Sequence, residues 1–194
     1  MVKSLHTTHS TRKIIAYGAI GGFVAGLVMA PFLMVTAILA GMPPDTMPIA
    51  MGLMFGASHS KDISMIVGFG MHMLTSVLIG VIFGTIIASI KKFWITEFRK
   101  GIIEGLITGI IAFVILFIPI STGVMPAILM KMAMPMNPSM TQQQIMEMMQ
   151  QSMPMMMGIG LLEHLIYGTI LGAITTALIL KTGMKRGQKQ EQNI

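Results

Sequence analysis

The chain has no cysteine and very few charged residues. Without a thiol group the protein can form no disulfide, no thiolate metal site and no cysteine nucleophile. Only 10% of its 194 residues are charged and 54% are hydrophobic, whereas a soluble domain usually carries about 25% charged residues. P-loop, Gly-x-Ser-x-Gly and His-Glu-x-x-His motifs are also absent. These absences argue against a soluble catalytic domain, and we predict that the protein is not an enzyme.

The few charges leave four windows that are long enough to cross a bilayer. A membrane span needs about 20 apolar residues, and lipid offers backbone groups no hydrogen-bond partner outside their own segment. The third window begins after Glu104, and only the fourth, between Glu147 and Lys181, contains a charge, Glu163. We therefore predict an all-α membrane protein with four transmembrane helices in one domain, residues 14–180. The predicted helices lie near residues 14–40, 64–90, 101–122 and 156–180, between tails at 1–13 and 181–194.

The basic residues are distributed unequally between the two sides of this predicted bundle. Eleven lie in the two tails and in the loop between the second and third helices, and only Lys61 and Lys131 lie on the other side. The positive-inside rule then places both termini in the cytoplasm of a multi-pass protein of the cell membrane. This orientation explains the formal charge of +6, so we expect the lipid bilayer as a partner and no nucleic acid.

The two halves of the chain resemble each other. Gly18 and Gly22 match Gly105 and Gly109 at an offset of 87 residues, and Gly68, His72 and Gly80 match Gly160, His164 and Gly172 at an offset of 92. Each half spans the membrane twice, so the two halves have the same orientation. We predict two parallel two-helix repeats, at about residues 12–92 and 99–181.

Every predicted helix also carries glycines at a spacing of four residues. In lipid, helices associate through the close backbone approach that glycine allows. These glycines predict either packing within one bundle or a seam between copies of a homo-oligomer. The predicted packing residues are Gly22, Gly26, Gly80, Gly84, Gly101, Gly105, Gly109, Gly168 and Gly172.

The order of these motifs resembles that of a general type of membrane protein. An early helix carries Gly22 to Gly26, and later helices read Gly-x-x-x-His followed by Gly, from Gly68 to Gly80 and from Gly160 to Gly172. In this the chain resembles small uncharacterised prokaryotic four-helix integral membrane proteins with repeated Gly/His helices. The resemblance implies a polytopic membrane protein and brings no activity with it.

Two histidines occupy equivalent positions in the second and fourth predicted helices. Intramembrane ionisable residues usually face a bundle interior or a wet cavity. His72 and His164 therefore predict either a paired metal or proton site, or two side chains that bond helix carbonyls or lie in the headgroup layer.

Methionine is the most unusual feature of the composition. The chain has 24, and thirteen lie between Gly123 and Met157. Met130, Met132, Met134 and Met136 alternate, which would align their thioethers on one face of an extended backbone. Soft thioethers favour Cu(I). The outer methionines are partly similar to those of Met-rich copper importers, which have three spans rather than four.

The same methionines also fit a packing role, because Met is flexible and fills irregular gaps or adaptable binding surfaces. We predict a short amphipathic helix in the second outer loop, capped by Ser139 or Thr141. Its methionines Met146, Met149 and Met153 would share one face, which could lie on the membrane surface or against a partner.

Two functions stay open at this point. One is the binding or handling of Cu(I) by the Met-rich outer loop. The other is a non-catalytic structural or accessory subunit that binds another membrane protein. For the first function the expected metal ligands are Met130, Met132, Met134 and Met136, with a deeper set of Met71, His72, Met73 and His164.

Overall fold

The structure is a computed structural model that describes residues 11–57 and 60–191, with side chains described as far as residue 182. The described residues form helices and contain no strand. Within the described residues, four helices are long and apolar enough to cross a membrane, which confirms that part of the prediction made from the four apolar windows. Lys3 and the side chains of Lys185, Arg186 and Lys189, which contribute to the predicted orientation, lie outside the described part.

The described chain forms six α-helices, and two of them join into one long helical run. Two π-helical segments, Phe113–Phe117 and Ile120–Val124, connect α4 to α5, so that the third candidate span runs from Phe98 to Met136. A 3₁₀ turn, Lys91–Phe93, separates α3 from α4. The six helices are α1 (Thr11–Leu39), α2 (Thr46–Met54), α3 (Lys61–Ser89), α4 (Phe98–Ala112), α5 (Met125–Met136) and α6 (Gln142–Glu191).

The alternating methionines lie in α5, so the expected extended backbone over residues 130–136 is wrong. The predicted third helix ended at residue 122, but the helical run continues to Met136, with π turns on both sides of Pro119. Such turns accommodate a proline ring and its missing N–H inside a helix. The following residues, mainly Met, Ala and Leu, are good helix formers.

The predicted short loop helix is not a separate element. Its residues are the first turns of α6, which continues through Pro154 to Glu191. Of the two expected capping residues, Ser139 and Thr141, it is Thr141 that caps this helix. Its Oγ1 accepts a hydrogen bond from the Gln144 N–H at 3.3 Å, and Gln144 Oε1 accepts one from the Thr141 N–H at 2.8 Å. This reciprocal pair is a capping box. Pro154 removes a single backbone hydrogen bond and does not end the helix.

Helix α2 was not predicted. It lies in the first connecting segment, and its neighbourhood is held together by an ion pair between Lys61 and Asp45. Glycines in the left-handed region follow α1 and α2, with φ of +72° at Gly41 and +83° at Gly56. Both are positions where other residues would be strained. A Cβ on Gly52 would meet the backbone of α3, so α2 packs closely against that helix.

The chain divides into two compact units. The first unit consists of the chain up to Val28, Met73–Ile110 and the chain from His164 onward. The second unit consists of Met29–His72 and Ile111–Glu163.

Glycine contacts join the helices of the first unit. Where α1 meets α3, a Cβ on Gly18 would collide with the backbone of Gly80 and Gly84, and a Cβ on Gly22 would collide with the Ser76 carbonyl oxygen. The contacts run in opposite directions along the two helices, so α1 and α3 are antiparallel here. We call this contact the α1–α3 seam.

A second seam has the same construction. Where α4 meets α6, a Cβ on Gly105 would collide with the backbone of Gly168 and Gly172, and one on Gly109 with the His164 carbonyl oxygen. We call this contact the α4–α6 seam. A Cβ would lie closer than 3.0 Å to an atom of the facing helix at all nine predicted packing positions: Gly22, Gly26, Gly80, Gly84, Gly101, Gly105, Gly109, Gly168 and Gly172.

Candidate metal centre

The second unit contains a cavity of about 340 Å³. Its walls come from the end of α1, the connection to α2 and the start of α2. The remaining walls come from the helical run between residues 117 and 137 and from the first turns of α6. The cavity therefore gathers segments that are far apart in the sequence, and we call it the methionine cavity for the residues that line it.

Nine methionines line the methionine cavity. Helical spacing explains which methionines of α5 line the cavity. Met125, Met132 and Met136 lie on one face of this helix, at intervals of seven and four residues. On α6 the same rule brings Met149 and Met153 onto one face. The nine are Met42, Met47, Met125, Met132, Met136, Met148, Met149, Met153 and Met156.

One carboxyl group lines the cavity together with these thioethers. Glu163 is the only ionisable side chain among the described residues that line the cavity. It is 9% exposed, and its Oε1 accepts a hydrogen bond from the hydroxyl of Thr36, which is 8% exposed. This hydrogen bond connects α1 with α6 inside the second unit. The cavity thus combines many soft neutral sulfur atoms with one carboxyl group and a few neutral hydroxyl and amide groups.

The structure separates the four alternating methionines that were expected to act together. Met132 and Met136 line the cavity. Met130 is buried but is not part of the cavity lining, and Met134 is 48% exposed. The reason is the helical backbone of α5, in which residues two apart point in different directions, whereas residues four apart share a face.

The deeper set of expected ligands does not line the methionine cavity. Met71 and His72 belong to the second unit, and Met73 and His164 belong to the first. All four are half-buried residues of α3 or α6. Among the side chains described, in residues 11–57 and 60–182, no three of His, Asp or Glu gather closely enough to hold a metal ion. The soft site in the second unit is therefore the better-defined candidate.

Most of the cavity lining was missed by the sequence analysis. Met149, Met153, Met156 and Glu163 follow each other at intervals of four, three and seven residues, which places them on one face of a continuous helix. This signal was present in the sequence. The sequence analysis placed Met149 and Met153 on one face with Met146, which does not line the cavity. It did not continue that face to Met156 and Glu163, because the first turns of α6 were assigned to a separate helix.

The chain matches no protein-family model, no curated protein and no solved structure in the comparisons that were made.

Proposed function

We propose that this chain is a multi-pass membrane protein that binds Cu(I) in the methionine cavity. The observation that carries the proposal is the gathering of nine methionines from α2, α5, α6 and the α1–α2 connection around one cavity. A soft, neutral donor set of this kind favours Cu(I) over Mg²⁺, Ca²⁺ or Zn²⁺. A thioether carries no proton that the metal must displace, so the thioether ligands themselves add no dependence on pH.

The size of the cavity is compatible with ion binding only if the side chains move. A volume of about 340 Å³ greatly exceeds that of one copper ion. Methionine is unbranched, has three rotatable side-chain bonds and adapts its position readily. The cavity methionines that are half-buried, such as Met132, Met149 and Met153, retain room to rotate toward an ion. We therefore propose capture by closure of flexible thioethers, which suits uptake and transfer better than permanent storage.

The proposed orientation follows from the basic residues. With both termini in the cytoplasm, the connections at residues 40–60 and 137–141 lie on the outer side. We further propose that the protein acts as a binding or transport protein of the cell membrane rather than as an enzyme.

We also propose that the two halves are parallel repeats. The two seams support this, because Gly18 approaches the Gly80 carbonyl oxygen and the Gly84 backbone in the same way as Gly105 approaches the Gly168 carbonyl oxygen and the Gly172 backbone. The matching residues differ by 87 between α1 and α4, as in the sequence, and by 88 between α3 and α6, which is about one helical turn less than the offset of 92 found in the sequence. Corresponding contacts of this kind are expected of a duplicated helical hairpin.

A structural or accessory subunit is the second candidate function. Its support is the set of methionines that face away from the cavity, since Met134, Met146 and Met155 are 44–48% exposed. Methionine is common on adaptable binding surfaces. A neighbouring membrane protein, a second copy of this chain or lipid would cover this surface.

The first prediction separates the two functions by metal titration. Four cavity methionines, Met132, Met149, Met153 and Met156, are replaced together by leucine, which resembles Met in volume and apolarity. We expect Ag(I), the Cu(I) surrogate, to bind the purified wild-type chain and to bind this variant at least about tenfold more weakly. Binding is measured by titration in detergent under thiol-free reducing conditions.

The matched control replaces four methionines on the same two helices that do not line the cavity: Met134, Met146, Met155 and Met157. The control should bind Ag(I) like the wild type. Equal Ag(I) binding by all three proteins would show that the four replaced cavity methionines are not ligands. Absence of binding by the wild type would favour the accessory subunit.

The second prediction tests the orientation. The chain has no cysteine, so a single introduced cysteine is the only reactive thiol. Cysteines replacing Ser60 or Ser139 should react with an impermeant maleimide on whole cells, and one replacing Thr96 should react only after permeabilisation. Reaction at Thr96 alone in whole cells would reverse the proposed orientation.

A further inference from the structure

We propose that Glu163 supplies the negative charge that balances a bound monovalent cation in the methionine cavity, and that Thr36 positions its carboxylate. This inference rests on the proposed Cu(I) function and deepens it, because it assigns the cavity a charge preference as well as a preference for soft ions. Glu163 was not among the ligands expected from the sequence.

The geometry of the second unit isolates this carboxylate from other charges. Glu163 is 9% exposed, and no lysine or arginine among the described residues forms an ion pair with it. Its hydrogen-bond partner is the Thr36 hydroxyl, which engages Oε1. The second oxygen, Oε2, is on the same glutamate side chain, which lines the cavity together with the methionines. A carboxylate in this position can meet an ion that the thioethers hold.

Charge balance explains why such a group is needed. Transfer of an ion from water into apolar surroundings carries a large desolvation penalty, and neutral ligands offset only part of it. Nine thioethers contribute dipoles and polarisability but no net charge. One ionised carboxylate makes the complex with a monovalent cation neutral, which removes most of the penalty for a buried net charge.

The same reasoning predicts selection by charge. With one carboxylate, a bound Cu(I) or Ag(I) gives a neutral site, whereas a divalent ion leaves an uncompensated positive charge. Divalent ions such as Zn²⁺ also prefer imidazole, thiolate or several oxygen ligands, and the described cavity lining holds neither histidine nor cysteine. Thioethers and the single carboxylate would therefore act together to select soft monovalent cations.

Thr36 acts through Glu163 in this account. Its hydroxyl fixes one carboxyl oxygen across the gap between α1 and α6, which restricts the rotamers of the glutamate. Loss of the hydroxyl would leave the charge in place but would orient it less well. Thr36 is thus a positioning residue, and its substitution should weaken ion binding less than the loss of the charge.

A purely structural hydrogen bond between two helices is the competing explanation. A structural bond predicts that substitution of Glu163 lowers thermal stability and leaves ion affinity unchanged. Glu163→Gln discriminates between the two, because glutamine keeps an oxygen that can accept the Thr36 hydroxyl and removes only the charge. The control is Glu147→Gln, since Glu147 is an exposed residue of the same helix that does not line the cavity.

The test is titration of the full-length proteins with Ag(I) and, separately, with Zn²⁺, together with thermal unfolding in detergent. We expect Glu163→Gln to bind Ag(I) at least about tenfold more weakly than wild type, and Glu147→Gln to bind normally. Thr36→Val should fall between these two variants, and Thr36→Ser should restore affinity by returning the hydroxyl. The wild type should bind Zn²⁺ far more weakly than Ag(I).

Each outcome decides a different claim. Equal Ag(I) affinity of wild type and Glu163→Gln, in a wild type that binds, would overturn the role of Glu163 and leave the proposed Cu(I) function standing. Absence of Ag(I) binding by the wild type would overturn both. If Glu163→Gln does not fold, Thr36→Val and Thr36→Ser still decide, because a positioning role requires that only the serine variant recovers affinity.

Discussion

The glycine seams of the first unit and the methionine cavity of the second unit use small and flexible residues in opposite ways. In the first unit, glycines bring helix backbones so close that a single methyl group would collide with the facing helix. In the second unit, methionines surround a cavity of about 340 Å³. One unit therefore has no room for an added side-chain atom at its seams, and the other keeps space that nearby side chains could fill.

This difference shows that glycines make the helix contacts rigid and that methionines make the cavity lining adaptable. Close backbone packing holds helices together in lipid, where the hydrophobic effect between them is absent. Flexible thioethers favour a surface that can change shape around a ligand. We infer that the seams serve to assemble the helices and that the methionine cavity serves to bind, and this comparison can be tested by substitution.

The largest expected effect comes from adding a methyl group to a seam. Gly80→Ala places a Cβ against the Gly18 carbonyl oxygen and the Gly22 backbone. Because backbone atoms cannot move aside easily, we expect a loss of about 3 kcal/mol or more in the free energy of unfolding. Reversible denaturation in detergent micelles measures this loss.

The control uses the same helix. Gly70 is an exposed residue of α3 with no atom near the position of an added Cβ. Gly70→Ala should therefore leave stability unchanged or raise it by up to about 1 kcal/mol, since alanine favours helix more than glycine. Equal losses in Gly70→Ala and Gly80→Ala would contradict the account of the seams.

A smaller effect is expected when cavity methionines are replaced without loss of volume. Each substitution among Met132, Met149, Met153 and Met156 by leucine should change the free energy of unfolding by less than about 1.5 kcal/mol. The side chains border open space and can adjust, so their replacement should affect ion binding much more than folding. A loss as large as that of Gly80→Ala would show that the cavity region is packed as tightly as the seams.

The four long apolar helices could be predicted because few charges interrupt them and their ends are charged or polar. Lys91 and Lys92, for example, follow the end of α3 and separate it from α4. The glycine spacing also pointed to the residues that now lie at the seams. These features depend on composition and on short-range periodicity, which the sequence displays directly.

The cavity lining was harder to predict because it depends on contacts between distant segments. Thr36 and Glu163 are 127 residues apart and meet only in the folded chain. Continuous helix through Pro154 and beyond residue 122 was also not expected, since proline usually ends helices in soluble proteins. In a membrane, intact helices are favoured more strongly, because unpaired backbone groups are costly in lipid.

The most direct test of the central claim is copper X-ray absorption spectroscopy on the purified chain loaded with one equivalent of Cu(I). We predict a first coordination shell dominated by sulfur, with at most one light-atom ligand from Glu163. The sulfur shell should be unchanged when Met134, Met146, Met155 and Met157 are leucine, and should contain fewer sulfur atoms when Met132, Met149, Met153 and Met156 are leucine. A shell of nitrogen and oxygen alone in the wild type, or a sulfur shell unchanged in the cavity variant, would contradict the account.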